Sequence, residues 1–397
     1  MKNWKLEFIR GGAALLVFIC HLVINNPFLK SKIYLNVISN WGTEAVMLFF
    51  MLSGVVINLA QKRKYNTPFI FLKNRLLRIY PLYIVGILLA TFVIIFLNTE
   101  ILNPYKMVGN LFFIGTLQGY IIDVPSSNPV IWSLTFEMFF YLIYCIGIGK
   151  SKIKFMLIWF GISLFCIPIY YLGIIGFPGF LITILSFSSI WLIGYFIAEY
   201  SNFIEINSIK VAIIFFALLP AISRLHLSNL YYDVFKYLIF SICASPFFLY
   251  CLKSNGLNKN KKILIISLNY AKIAMVFVFA SLLLFSNSLF ISKIIYIFIP
   301  LLFFIIPFKN ISFYLLNFLK KISIYFGSIS YVLYIVHFPI LILINFYSHG
   351  NVFLYILISI LLIFPTCNFL EFKYQRLVFL LVKNNFFNKL KILKVSK

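Results

Sequence analysis

The chain has 397 residues, 63% of them hydrophobic, and its mean hydropathy is +1.02. Soluble domains are about 45–50% apolar, so this composition excludes a soluble globular protein and indicates a polytopic membrane protein. The formal net charge of +25 does not indicate a nucleic-acid binder, because the basic residues are dispersed among short loops rather than gathered on a polar domain.

Apolar runs near the length of about 20 residues that crosses a bilayer recur along the whole sequence. The predicted spans number twelve, or ten if weak segments merge: residues 8–26, 42–60, 79–97, 130–148, 155–173, 179–199, 210–225, 234–252, 265–286, 291–308, 328–347 and 352–371. The predicted fold is therefore an all-α polytopic transmembrane helical bundle. We assign residues 1–372 to a single membrane domain and residues 373–397 to a basic tail.

The connections between spans indicate orientation. Most of the 34 Lys and Arg residues fall on one side of the membrane when the N-terminus is cytoplasmic, so the positive-inside rule places both termini in the cytoplasm. Residues 61–78 are predicted to form a basic inner loop, and residues 98–129 form the longest outer connection, which could meet an external substrate. Residues 311–326 are predicted to form an amphipathic helix at the inner surface.

The first span carries two polar groups that lie on one helix face. Arg10 and His21 are eleven residues apart, which at about 100° per residue brings them within roughly 20° of each other around the helix. The rise of 1.5 Å per residue separates them by about 16 Å along the helix axis. We expect Arg10 at the cytoplasmic edge and His21 deep in the bilayer, a geometry that suits a long substrate with a charged head, such as an acyl-coenzyme A.

A carboxylate in another span is predicted to lie at the depth of His21. Glu137 follows Trp132 and Ser133 near the outer end of a span that runs inward. A nearby carboxylate orients an imidazole for taking a hydroxyl proton, so His21 and Glu137 are predicted to form an acid/base pair. The alternative is a buried ion pair that only fixes helix packing.

Two further arginines are predicted to lie level with Arg10. Arg75 and Arg78, spaced i to i+3, share a helix face where the third span enters from the cytoplasm. Three fixed guanidinium groups would form a phosphate-binding mouth. The alternative is that Arg75 and Arg78 are ordinary positive-inside anchors that contact lipid phosphate.

Other polar positions have weaker signals. His337 lies about halfway through its span, where a hydrogen-bonded core role and a substrate-binding role both remain open. The segment FFMLSG at residues 49–54 contains Ser53 and is predicted to pack closely, because Ser and Gly let helices approach. We find no nucleotide-binding glycine loop, Gly-x-Ser-x-Gly elbow or metal cluster, which argues against ATP-driven transport, serine hydrolysis and a metal site.

Taken together, these segments resemble the membrane acyltransferase-3 family, integral-membrane O-acyltransferases that modify surface glycans and related compounds. The resemblance is carried by the Arg10 to His21 spacing, FFMLSG at 49–54, RLLRIYP at 75–81, Trp132-Ser133-Leu134 with Glu137 and Tyr141, Ser330-Tyr331 through His337, and Glu371. Two positions depart from the family pattern: Glu7-Phe8 replaces the more usual Asp-Gly, and no proline follows Glu371.

The resemblance implies that acetyl-CoA is the acyl donor, with Arg75, Arg78 and Arg10 near its phosphates. It further implies that residues 1–372 are a membrane acyltransferase domain of the bacterial inner membrane. The implied acceptor is a sugar hydroxyl of a surface polysaccharide (O-antigen, capsule or exopolysaccharide) or of its lipid-linked precursor.

The resemblance also implies that His21 is essential and that Glu137 supports the reaction, while the role of His21 as base or as transient acyl carrier stays open. The residues predicted to support substrate or structure are Trp132, Ser133, Tyr141, His337 and Ser53. An alternative function is a glycan transporter or flippase in which His21 and Glu137 carry protons. A glycan polymerase is a third possibility, but the sequence lacks the large external catalytic loop it would need.

Overall fold

The computed structural model describes residues 3–32, 41–63, 67–98, 100–148, 152–206, 218–223, 233–252, 264–266 and 313–382, together with the isolated positions 35, 39, 213 and 215. Its elements are α1 Trp4–Ile24, α2 Pro27–Ser31, α3 Gly42–Arg63, α4 Pro68–Leu97, α5 Pro104–Leu111, β1 Gly115–Thr116, β2 Ile122–Asp123, a 3₁₀ turn Pro129–Ile131, α6 Trp132–Ile146, α7 Lys152–Tyr170, α8 Gly176–Tyr200, β3 Ile204–Ile206, α9 Leu219–Ile222, α10 Val234–Leu252, β4 Leu264–Ile266, α11 Phe313–Tyr347 and α12 Val352–Asn368. A π-helical turn, Phe369–Tyr374, follows α12, and the helix then continues to residue 382.

Within these ranges, nine helices are long and apolar enough to cross a membrane, which confirms the predicted all-α polytopic bundle. Nine of the predicted spans coincide with them, including residues 234–252, which match α10. The predicted spans at 265–286 and 291–308 lie outside the described residues. The predicted span at 210–225 lies largely outside them, and its described part contains the short helix α9.

The predicted basic loop at residues 61–78 is wrong for most of its length. Helix α4 begins at Pro68, where Thr67 caps it: the Thr67 hydroxyl accepts a hydrogen bond from the Ile70 amide at 3.4 Å. A threonine cap followed by proline at the first helical position is a standard helix start. The hydropathy pattern predicted that the span begins at residue 79, because Arg75 and Arg78 lower the mean hydropathy of the first turns of the helix.

The helix predicted for residues 311–326 is not a separate surface element. Helix α11 runs without a break from Phe313 to Tyr347, so the amphipathic stretch and the apolar span with His337 form one helix. No proline interrupts it before Pro339, and a single glycine, Gly327, does not end a helix.

The long connection between α4 and α6 is folded onto α4. The buried Asn110 donates from Nδ2 to the carbonyl oxygens of Lys106 and Asp123, at 2.8 and 2.9 Å. Tyr83 donates to the Asn110 carbonyl at 2.7 Å, and its ring stacks on Phe113 with centroids 4.2 Å apart. These bonds satisfy polar groups that would be costly to bury unpaired, so the connection is ordered against the helix.

The packing divides the chain into two compact units. The first comprises Met1–Val17, Asn40–Asn66 and Phe136–Gly327, and the second comprises Phe18–Ser39, Thr67–Thr135 and Ser328–Lys397. In the first unit, α8 packs against α3, α7 and α10, and a short parallel pair joins β3 to β4. In the second unit, side chains of α11 and of the connection between α4 and α6 bond to α4.

Two glycines let α3 and α8 touch backbone to backbone. A Cβ added at Gly54 would collide with the carbonyl oxygen of Trp191, and one added at Gly194 would collide with that of Met51. Neither neighbour can swing aside, because both are backbone atoms. The close approach therefore requires glycine at both positions.

Replacing Gly194 by alanine should destabilise the protein by about 1–3 kcal/mol, the usual cost of overpacking a core. The midpoint temperature of thermal unfolding measures the effect, with size-exclusion chromatography as the monitor of the detergent-solubilised protein. Gly161→Ala on α7 is the matched control, since a Cβ at Gly161 meets no atom within 4 Å. Equal midpoints for the two variants would contradict the backbone contact.

Candidate active site

Two histidines form a hydrogen-bonded pair in the second unit. The His21 Nδ1 atom on α1 lies 2.9 Å from the His337 Nε2 atom on α11. The rings stack with centroids 5.1 Å apart and planes inclined by 26°. His337 is fully buried, whereas His21 is partly exposed.

The partner of the far nitrogen of His337 decides which atoms carry the protons. His337 Nδ1 lies 2.7 Å from the carbonyl oxygen of Leu333, which can only accept, so Nδ1 carries a hydrogen. In a neutral ring, His337 Nε2 is then the acceptor and His21 Nδ1 is the donor to it. The lone pair of neutral His21 therefore lies on Nε2, directed away from His337.

Aromatic rings hold the pair in place. Phe338 packs against the His21 ring edge to face, with centroids 5.0 Å apart, and Phe18 packs against His337 in the same way at 6.3 Å. At the next residue of α1, the Leu22 carbonyl accepts a hydrogen bond from Tyr355 of α12 at 3.1 Å. The His21 ring is therefore fixed by neighbours as well as by its own hydrogen bond.

A buried asparagine side chain replaces a missing backbone hydrogen bond beside His337. Pro339 has no N–H, so the Ile335 carbonyl lacks its usual donor four residues along the helix. Asn128 supplies the missing bond from Nδ2 at 3.0 Å and also donates to the Gly86 carbonyl at 3.3 Å. The turn of α11 that carries His337 is thereby tied to α4.

Ser133, one of the predicted support residues, joins the start of α6 to α11. Its hydroxyl lies 2.7 Å from the Tyr334 hydroxyl, which donates to the Val130 carbonyl at 2.7 Å. The neighbouring Trp132 is buried. Tyr334 lies one turn before His337, so this cluster braces the histidine helix, a partner that the sequence did not identify.

The two arginines of the predicted donor site lie in the second and third turns of α4. The Arg75 guanidinium carbon lies 5.6 Å from the centroid of the Phe71 ring, a distance at which cation–π attraction acts. Arg78 is exposed. Their i to i+3 spacing places both on one face of the helix, as predicted.

In the first unit, four side chains from three helices form a directed chain of hydrogen bonds. The Trp191 indole N–H can only donate, and it lies 3.3 Å from the Ser53 hydroxyl. Ser53 lies 3.1 Å from the Tyr141 hydroxyl, which donates a hydrogen bond to the Glu137 carboxylate. Three predicted residues from two separate motifs, Ser53 from one and Glu137 and Tyr141 from the other, are thus linked by hydrogen bonds, and Trp191 joins them.

Arg10 forms an ion pair inside the first unit. Its Nη1 lies 3.0 and 3.1 Å from the two carboxylate oxygens of Glu7, and 16% and 8% of the two side chains are exposed. A Cβ added at Gly327 would collide with the Glu7 carboxylate. Glu7, which departs from the usual family pattern, therefore orients the Arg10 guanidinium at a close helix contact.

The predicted pairing of His21 with Glu137, and the grouping of Arg10 with Arg75 and Arg78, would join the two units and stay predictions. Within the described ranges, no three His, Cys, Asp or Glu side chains cluster closely enough to hold a metal ion. The second unit thus contains an oriented imidazole, that of His21, and the first unit contains an oriented carboxylate, that of Glu137.

The family described as an acyltransferase domain, acyltransferase-3, matches residues 3–273. Acyltransferase MdmB of Streptomyces mycarofaciens is 32% identical over 147 residues, which cover 35% of this chain and 38% of that protein. Exopolysaccharide production protein ExoZ of Rhizobium meliloti (strain 1021) is 30% identical over 111 residues, covering 26% of this chain and 33% of ExoZ.

The chain thus aligns with less than two-fifths of the length of either curated relative. No solved structure matches it. The family match covers more than half of the chain and agrees with the long apolar helices. The chain therefore belongs to the acyltransferase-3 family, and its long apolar helices indicate a multi-pass membrane protein.

Proposed function

We propose that this protein is an O-acetyltransferase of the bacterial inner membrane, which transfers an acetyl group from cytoplasmic acetyl-CoA to a sugar hydroxyl. The proposed acceptor is a surface polysaccharide, as O-antigen, capsule or exopolysaccharide, or its lipid-linked precursor. The family match supports the acyl transfer, and the name of ExoZ supports an acceptor related to polysaccharide.

The observation that carries the mechanism is the orientation of His21 by His337. In the base version, His21 Nε2 takes the proton of the sugar hydroxyl while that oxygen attacks the thioester carbonyl. The C–S bond breaks, and the proton returns to the leaving CoA thiolate. The Nδ1–H of His21 stays bonded to His337 throughout, which stabilises the imidazolium as it forms.

In the carrier version, the same nitrogen attacks the thioester carbonyl and CoA leaves as its thiolate. The N–C bond of the acetyl-imidazolium then breaks as the sugar oxygen takes the acetyl group, and the hydroxyl proton passes to water, which balances the proton that the CoA thiolate takes up. Incubation with radiolabelled acetyl-CoA in the absence of acceptor separates the two versions: the carrier version predicts labelled protein, and the base version predicts none.

Glu137 is proposed to support proton transfer to or from the site. Its carboxylate is held by Tyr141, which is in turn held by Ser53, so it keeps a single direction. Ser53 and Tyr141 are then positioning residues, and Trp191 completes the chain. Glu137 itself remains a proposed partner of His21.

Arg75→Ala and Arg78→Ala should each raise the KM for acetyl-CoA by about 10- to 100-fold, the equivalent of one charge-assisted hydrogen bond, with little change in kcat. Steady-state kinetics of the purified protein measure both constants. Lys73→Ala, on the same stretch of α4, is the matched control for general loss of positive charge. An equal effect of Lys73→Ala would favour the lipid-anchor interpretation instead.

The experiment that tests the function compares surface glycans of cells with and without the protein by mass spectrometry. We expect acetylated sugar residues only when the protein is present. A transporter or flippase would instead change glycan movement with no requirement for acetyl-CoA. Unchanged acetylation together with altered glycan export would overturn the proposal.

A further inference from the structure

A carbonyl in α4 has lost its backbone donor next to the arginine pair. Pro81 has no N–H, so it cannot donate to the Leu77 carbonyl one turn earlier, between Arg75 and Arg78. Gln375 supplies the missing bond: its Nε2 lies 2.9 Å from the Leu77 oxygen and 3.2 Å from the Arg78 oxygen. Because both partners can only accept, both amide hydrogens of Gln375 are committed to this turn.

The position of Gln375 follows from a defect in its own helix. It comes directly after the π-helical turn Phe369–Tyr374, which adds a residue and so rotates everything after it by about 100° relative to a continuous α-helix. Gln375 is only 5% exposed. Isolated π-turns often mark functional sites, and this one turns a buried carboxamide towards the arginine-bearing helix.

A second side chain bonds to the same stretch of backbone. Tyr331 of α11 donates to the Ile79 carbonyl at 2.9 Å, so three successive carbonyls of α4, from residues 77 to 79, accept bonds from side chains of other elements. Asn128 acts in the same way at Pro339, beside His337. Both prolines near the candidate site are thus paired with a buried carboxamide that replaces the lost N–H.

We propose that Gln375 is a positioning residue for acyl-donor binding, an inference that rests on the proposed function of Arg75 and Arg78. By replacing the donor lost to the Leu77 carbonyl and bonding also to the Arg78 carbonyl, Gln375 fixes the turn that carries both guanidinium groups. Without it, the proline-weakened turn has alternative conformations, and the arginines lose the fixed spacing that a pyrophosphate requires.

The test uses the full chain in nanodiscs and measures acetyl-CoA binding by isothermal titration calorimetry. Gln375→Leu keeps the size of the side chain but removes both hydrogen-bond donors. We expect about 10-fold weaker binding of acetyl-CoA, because a small displacement of the two guanidinium groups from the phosphates lowers the affinity by that much or more. Pro81→Ala restores the N–H for the Leu77 carbonyl. The double variant Pro81→Ala/Gln375→Leu should therefore recover most of the lost affinity.

The acetyl-CoA affinities of the variants separate failure of this inference from failure of the proposed function. If Gln375→Leu binds as the wild type does while Arg78→Ala binds weakly, the inference is overturned and the proposed donor site stands. If the double variant binds no better than Gln375→Leu, the carbonyl-capping mechanism is overturned. If the wild type does not bind acetyl-CoA, the proposed function fails together with the inference. Should Gln375→Leu not fold, Gln375→Met, which is unbranched like glutamine and also lacks both donors, replaces it.

Discussion

Replacing His21 by alanine should lower kcat for acetyl transfer by at least about 10²- to 10⁴-fold, the usual contribution of a general base, and by more if the imidazole carries the acetyl group. The reason is specific: His21 Nε2 is the nitrogen whose lone pair is left available when Nδ1 donates to His337. Initial rates of the purified protein and acetyl content of cell-surface glycans both measure the loss.

Cys20→Ala is the matched control for this variant. Cys20 adjoins His21 on α1 and is fully buried, and neighbouring helix residues point in different directions. We expect the Cys20 variant to retain most of the acetyltransferase activity. That result would also exclude the Cys20 thiolate as the nucleophile. A membrane-inserted, monodisperse His21→Ala protein that acetylates glycans at the wild-type rate would refute the proposed role of His21.

The membrane fold was predictable because crossing a bilayer imposes a simple pattern on the sequence. A spanning helix must be apolar over about 20 residues, so residues 234–252 were located to the residue. The same rule failed at the start of α4, where Arg75 and Arg78 lower the local hydropathy although Thr67 and Pro68 mark the helix start. Capping chemistry is local and was a better guide there than hydropathy.

Parts of the candidate site were also predictable from helix periodicity. Glu137 and Tyr141 are four residues apart, so they share a helix face, and the structure joins them by a hydrogen bond. Ser53 comes from another helix, and nothing in a single sequence fixes how two helices are rotated against each other. Its bond to Tyr141, and the donor Trp191, needed the packed structure.

The pairing of His21 with His337 could not be derived from spacing, since 316 positions separate the two residues. The available signal was energetic: imidazoles at bilayer depth need polar partners, and the predicted spans contain two of them. Likewise, Pro81 and Pro339 indicate from the sequence that the carbonyl four residues before each of them lacks a backbone donor. Only the structure identifies Gln375 and Asn128 as the side chains that donate to these carbonyls.

The pairing makes His337 the orienting member of a base–orienter couple, a role that an aspartate has in serine proteases, where the wrong imidazole tautomer costs about 10⁴ in kcat. A neutral acceptor should contribute less. We expect His337→Phe to lower kcat by about 10²- to 10³-fold, because His21 Nδ1–H loses its acceptor and the tautomer is no longer fixed. The KM for acetyl-CoA should change little, since Arg75 and Arg78 are unaffected.

A second variant separates orientation from packing. His337→Gln places an amide oxygen within reach of His21 Nδ1 and should retain more activity than His337→Phe, although Phe fills the buried space better. Tyr334→Phe, which removes a hydroxyl from the Ser133 cluster and leaves the histidine pair intact, is the control for disturbance of α11. Nitrogen-15 spectra of His21 should show hydrogen on Nδ1 in the wild type and a tautomer mixture in His337→Phe. Unchanged kcat in that variant, or an unchanged His21 tautomer, would mean that His337 only fills space.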